Sequence, residues 1–254
     1  RVEAVPYGEA ITIGDVRVSF HPAGHIRGSA QIRIEGSGGV WVVEGGPAGM
    51  PTPQSMFFIG QIDAGIPEDS ESGDQFGFSL AVGNFNGDLY QDLAIGIPED
   101  TGGPILDRRA KAGTVAVIYG GSAGLSMANA WYISQLWSGS DPEVQEAGDH
   151  FGCTLAAGDF DNDGVDDLAV GVCNETVGVA AEAGAVSVFY GVLFGPMGDP
   201  DLTLTEPSPA ASRHFGLSLG AGDINGDGAD ELVAAQAAGG FYFFSGSLGG
   251  LATS

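Results

Sequence analysis

Asp159-Phe160-Asp161-Asn162-Asp163-Gly164-Val165-Asp166-Asp167 sets carboxylates at positions 1, 3, 5 and 9 of a nine-residue stretch, between two apolar runs that read as β-strands. A loop that coils around an ion turns such alternating side chains toward one centre, and Val165 at position 7 adds its backbone carbonyl. Hard oxygen donors in that number suit Ca²⁺, which accepts six to eight of them in flexible geometry, better than Mg²⁺ or a metal that seeks nitrogen and sulfur. Gly164 follows the third ligand, where a sharp bend is served by a residue that tolerates positive φ.

Asp, Asn and Gly are also ordinary turn residues, so one such loop is weak ground. This one recurs. Asn84 to Asp92 repeats it with Asn84, Asn86, Asp88, the Tyr90 carbonyl and Asp92, and Asp223 to Glu231 repeats it with Asp223, Asn225, Asp227, the Ala229 carbonyl and Glu231. Three copies in one register predict up to three Ca²⁺ sites. Ranked by ligand charge and glycine content, the order of affinity is second loop, third loop, first loop.

The surroundings of the loops repeat as well. Phe76-Gly77, Phe151-Gly152 and Phe215-Gly216 stand at intervals of 75 and 64 residues, each followed by an apolar strand, the acidic loop and a second strand. A third strand follows as GTVAVIYG, GAVSVFYG and GGFYFFSG, and a fourth precedes each Phe-Gly as MFFIGQI, WYISQL and DLTLT. Four antiparallel strands per repeat describe a propeller blade. The fold expected is all-β: a partial β-propeller of about three four-stranded blades, preceded by a short β-rich segment.

These motifs make residues 56–254 resemble FG-GAP repeats, the units of the β-propeller of integrin α subunits and of many bacterial secreted proteins. Gly96-Ile97-Pro98 matches the GAP element loosely, Gly171-Val172-Cys173 more loosely and Ala234-Ala235-Gln236 hardly at all. The resemblance implies a calcium-binding module for protein interaction or adhesion. Its partner would be a protein or a matrix or surface ligand, met at the variable loops Glu99 to Ala112 and Asn174 to Gly184. It also implies an extracellular or cell-surface location. Such propellers close with about seven blades, so the chain reads as an excerpt that other blades or chains complete.

Residues 1–46 read as four short strands, Ile11 to Ile13, Val16 to Phe20, Ala30 to Ile34 and Val40 to Val43, and residues 47–55 read as a Gly/Pro-rich linker. The words SFHPAGHIRGSAQIRIEGSGGVWVVEGG resemble a stretch of metallo-β-lactamase-fold exonucleases, which implies a zinc-ligand role for His25. The next metal ligand of that family is replaced by Gly45-Gly46 and its HxHxDH cluster is absent, so one ligand is left where a catalytic zinc needs about three. A nuclease remnant is therefore the alternative reading, as is a spacer within a larger secreted enzyme.

Composition bounds the rest. A net charge of −25 opposes nucleic acid or an anionic membrane as partner, and no apolar run reaches the roughly 20 residues of a helical membrane span. The acidic loops account for part of that charge, carrying −2, −4 and −3 in chain order from the candidate ligand side chains. No nucleophile constellation stands out, so no catalytic residue is expected; His150 and His214, at equivalent positions before Phe-Gly, read as turn residues. Cys153 and Cys173 flank Asp163 symmetrically where the other repeats have no cysteine, which favours a disulfide across a hairpin and an oxidising compartment.

Overall fold

The computed structural model describes residues 10–13, 16–22, 30–35, 39–45, 51–61, 73–101, 110–135, 145–198 and 200–252. They form four antiparallel sheets in which strands adjacent in sequence are adjacent in space. The first contains β1 (Ala10–Ile13), β2 (Val16–Pro22), β3 (Ala30–Glu35), β4 (Gly39–Gly45) and β5 (Pro51–Gly60). The second contains β6 (Ser79–Gly83), β7 (Asp92–Ile97), β8 (Thr114–Ile118) and β9 (Trp131–Ile133). The third contains β10 (Phe151–Gly158), β11 (Asp167–Val172), β12 (Ala185–Phe189) and β13 (Leu202–Leu204). The last contains β14 (Ser218–Gly222), β15 (Glu231–Ala235) and β16 (Phe241–Phe244), three strands where four per repeat were expected. A 3-10 turn occupies Met127–Asn129.

Each repeat is thus one sheet, and the sheets stack face to face. Strands β7 and β11 are buried at every residue, which is why they read as continuous apolar runs and not as alternating ones. One core joins the first sheet to the second through Val40, Ile59, Phe76, Ile95 and Ile97. Another joins the second to the third through Phe85, Val115, Val117, Phe151 and Val172, and a third joins the last two sheets through Phe160, Val186, Phe215 and Phe244.

The first sheet crosses the boundary expected at residues 47–55. β5 begins at Pro51, inside the stretch read as a linker, and pairs with β4 from Val43↔Met56 to Gly39↔Gly60. Met56 to Gly60 therefore complete the sheet formed by the N-terminal strands. The reason is visible at the glycine of each Phe-Gly. A Cβ on Gly152 would lie 2.9 Å from Val115 Cγ2, and one on Gly216 would lie 2.8 Å from Val186 Cγ2, so each presses on the third strand of the preceding sheet. Gly77 would meet Val40 Cγ2 at 2.8 Å in the same way. β4 and β5 accordingly stand where the third and fourth strands of a preceding blade would stand, and they cover the first repeat's outer face.

The GAP glycine has an equally physical origin. Ser79 Oγ donates to Gly152 O at 2.6 Å, and Thr154 Oγ1 donates to Gly216 O at 2.6 Å, so a hydroxyl on each first strand staples the next sheet. A Cβ on Gly96 would lie 2.1 Å from both Ser79 Oγ and Gly152 O, and one on Gly171 would lie 2.2 Å from Thr154 Oγ1. In the last sheet the position facing Ser218 is Ala235, and no described sheet packs on that side. Leu217, Phe243 and Phe241, the last at 70% exposure, lie open there. Gly96→Ala is expected to destabilise the protein by about 2 kcal/mol through overpacking, read as a shifted urea midpoint at unchanged slope. Ala235→Gly, which loses no such contact, should cost less than about 1 kcal/mol.

Candidate metal centre

The three acidic loops join the first and second strands of their sheets. Each hairpin closes at the same pair, Gly83↔Asp92, Gly158↔Asp167 and Gly222↔Glu231, so position 9 is the first residue of the second strand. Inside the loops, short polar side chains hold the backbone in successive turns. Asn84 Oδ1 and Asn86 Oδ1 both accept from Asp88 N–H at 3.1 Å. Asp159 Oδ1 and Asp161 Oδ1 both accept from Asp163 N–H, at 3.0 and 3.2 Å. Asn225 Oδ1 accepts from Asp227 N–H at 2.8 Å. The position-5 carboxylate then accepts from the N–H of position 7, which is Tyr90, Val165 or Ala229, at 2.8–3.0 Å. These bonds leave further oxygen lone pairs on positions 1, 3 and 5 for a ligand.

Position 9 has a second task. Asp167 Oδ2 accepts from Phe160 N–H at 2.7 Å and its Oδ1 from Gly191 N–H at 2.8 Å, tying the loop to the end of β12. Asp92 does the same with Phe85 and Gly120, both at 2.8 Å. Both carboxylates are buried, and burial pushes Asp92 up to about 7 and Asp167 up to about 8, against the lowering effect of those backbone bonds. Asp161 is also raised, by burial first and then by the charge of Asp163. Such groups are costly to keep ionised without a compensating positive charge.

In the second loop Asp159, Asp161 and Asp167 each bring a carboxylate oxygen within 4.8 Å of the others. Asp163, the fourth expected ligand, is not in that group. The acids of the third loop do not gather: Asn225 Nδ2 occupies the approach, donating to Glu231 Oε1 at 2.7 Å and to Asp227 Oδ2 at 3.0 Å. In the first loop Asn86 Nδ2 donates to Asp88 Oδ2 at 3.2 Å. The donor set of the second loop, three hard anionic oxygens with one buried, fits a hard divalent cation.

Cys153 and Cys173 are disulfide-bonded at a Cα separation of 6.2 Å, at the end of the β10–β11 hairpin away from the acidic loop. Gln75, His150 and His214 share positive φ, at 62°, 58° and 50°, consistent with the turn role read for the two histidines. His25 and residues 102–109 of the first variable loop lie outside the described residues.

Two residues that the sequence reading passed over also belong to this region. Asp166 and Asp230, at position 8 of the second and third loops, bond to the loop of the sheet before their own: Asp166 Oδ2 accepts from Asn84 N–H at 2.6 Å and Asp230 Oδ2 from Asp159 N–H at 3.0 Å. Their signal was an acid at the same position in two repeats, obscured by Gln91 in the first.

The FG-GAP repeat pattern matches residues 76–118 and 151–189. Integrin alpha-PS2 of Drosophila melanogaster is 28% identical over 181 residues, covering 69% of this chain and 11% of that protein. Phosphatidylinositol-glycan-specific phospholipase D of Rattus norvegicus is 32% identical over 160 residues, covering 63% of this chain and 18% of its own. Integrin alpha-7 of Homo sapiens is 30% identical over 175 residues, covering 66% and 13%. The chain spans 11–18% of the length of these relatives. The matches support an FG-GAP, integrin-like propeller; the exonuclease resemblance of residues 1–46 finds no counterpart in them.

Proposed function

We propose that the chain is a calcium-stabilised propeller module for binding another macromolecule, carrying no catalysis of its own and working outside the cell or at its surface. The observation that carries this reading is the convergence of Asp159, Asp161 and Asp167 on one point of a hairpin loop. Bound there, Ca²⁺ would offset the mutual repulsion of the carboxylates and fix the turn between β10 and β11; its role is structural. Asn84, Asn86, Asp88 and Asp92 would hold a second ion, and Asp223, Asn225, Asp227 and Glu231 a third. The partner, a protein or a matrix or surface ligand, would meet the loops at the opposite end of the sheets, Glu99 to Ala112 and Asn174 to Gly184, where Val179 is fully exposed. The disulfide fits an oxidising compartment.

Calorimetric titration with CaCl2 tests the calcium reading. Binding in the range of about 10⁻⁴ to 10⁻³ M, as in extracellular modules, is expected, with the strongest component removed by Asp161→Ala. No calcium heat in the unsubstituted chain, or full retention in Asp161→Ala, would sink it.

A second reading is favoured by the phospholipase D match over 63% of this chain: the propeller as a spacer in a larger secreted enzyme. The two readings part on binding. Immobilised chain that retains a matrix or surface protein through the Asn174 to Gly184 loop, with retention lost on exchanging that loop, supports the interaction module. The nuclease reading of residues 1–46 rests on its resemblance alone and predicts bound zinc and cleavage of single-stranded DNA.

A further inference from the structure

The acidic loops are held from outside as well as from within. Asp159 N–H donates to Asp230 Oδ2 at 3.0 Å while Asp230 N–H donates back to Asp159 O at 2.8 Å. The pair forms a two-bond ring between residues 71 positions apart. The same ring joins Asn84 to Asp166, with bonds of 2.6 and 3.0 Å. The following sheet also reaches position 2: Ser247 N–H donates to Phe160 O at 3.1 Å, and Val192 N–H to Phe85 O at 3.2 Å. Both rings need a bare backbone beside them. A Cβ on Gly158 would lie 2.7 Å from Asp230 Oδ2, and one on Gly83 would lie 3.0 Å from Asp166 Cβ.

We infer that Asp230 and Asp166 are positioning residues for the ion site of the preceding sheet, so that cation binding in one loop and docking of the next sheet favour each other. This rests on the calcium reading given above. Asp159 is the residue on which the effect turns. Its side chain supplies a candidate ligand and already holds the N–H groups of Asp163 and Gly164, while its own N–H and C=O are both bonded to Asp230. A carboxylate at position 8 therefore sets the direction in which position 1 leaves β10. Coupling follows from linkage: an interaction that aligns the ligand for the ion is strengthened by the ion to the same extent. The third loop has no following sheet among the described residues, and its Asp223, Ile224 and Asn225 are exposed. It should bind most weakly of the three, although it carries more charge than the first.

The test isolates the second site in the full chain with Asp88→Ala and Asp227→Ala, then adds Asp230→Ala or Asp230→Asn and follows CaCl2 binding by calorimetry. Loss of an outer residue that orients a metal ligand lowers affinity by about tenfold or more, and that loss is expected for Asp230→Ala. Asn keeps an acceptor for the Asp159 N–H, so Asp230→Asn should stay within about threefold of the parent. Equal affinity in parent and Asp230→Ala overturns the inference, as does an Asp230→Asn variant as weak as Asp230→Ala, which would leave only charge. A parent without calcium binding removes the calcium reading itself and the inference with it. Should Asp230→Ala fail to fold, amide hydrogen exchange on the unsubstituted chain decides: calcium should slow exchange at Asp230 and Ser247, and unchanged exchange there refutes the coupling.

Discussion

Removing calcium with EGTA at pH 8 is expected to lower the thermal midpoint by about 15 °C. Each site held at one hundred times its dissociation constant contributes about 2.7 kcal/mol, and two well-anchored sites give about 5 kcal/mol. A chain of this size loses roughly 2–4 °C per kcal/mol. The effect should depend on pH in a defined direction. Burial raises Asp92 to about 7 and Asp167 to about 8 in the ion-free protein, from an ordinary value of 3.8. The folded state then binds protons more tightly than the unfolded chain between those limits, so its stability falls as pH climbs from about 4 to about 8. In EGTA the midpoint should be higher at pH 5 than at pH 8. In excess calcium the order reverses for these groups, because protons compete with the ion for the same oxygens. Scanning calorimetry at the two pH values, with and without calcium, reads all four midpoints. A midpoint at pH 8 that ignores EGTA would show that the loops are solvated turns.

Reducing the disulfide, or replacing it by Cys153→Ser with Cys173→Ser, is expected to cost about 3 kcal/mol, or about 9 °C. The two cysteines are 20 residues apart, and the closed segment contains most of β10, the acidic loop and all of β11. Constraining that segment in the unfolded chain is the main source of the gain. The site has little slack for the change: a Cβ on neighbouring Gly171 would lie 3.2 Å from Cys153 Sγ. The same hairpin is closed at its other end by the acidic loop, so reduction should also weaken calcium binding at Asp159, Asp161 and Asp167. Urea unfolding of oxidised and reduced protein, each in calcium and in EGTA, separates the two contributions. A loss below about 1 kcal/mol would mean that the sheets flanking the hairpin already hold it.

How much of this was legible in the sequence follows from the range of the interactions. The acidic loops, the Phe-Gly turns and the first three strands of each repeat are written in spacings of a few residues, and these lie where the pattern placed them. The Cys153 to Cys173 pairing was legible because a hairpin brings its two ends together. What escaped was set by the neighbouring sheet. Asp230 reads as one more acid in an acidic loop, and its partner is a backbone N–H 71 residues away, which no side chain advertises. Pro51 and the residues after it read as a linker because Gly and Pro dominate the composition there, yet β4 offers an edge and they pair with it. The mismatch at Ala234-Ala235-Gln236 looked like a degraded motif. It marks the one first strand whose hydroxyl, on Ser218, has no described sheet to staple.

That staple has a direction. The second–third and third–last interfaces are each made by unlike surfaces: one side presents the Ser or Thr hydroxyl and the GAP glycine, the other presents the Phe-Gly carbonyl. The stack consequently has a head and a tail, and the side bearing Phe241 and Phe243 is not self-complementary in this code. Two copies cannot be joined through it by the same code, because Ala235 stands where the code needs glycine and the Phe-Gly of the first repeat already faces Val40 of β4.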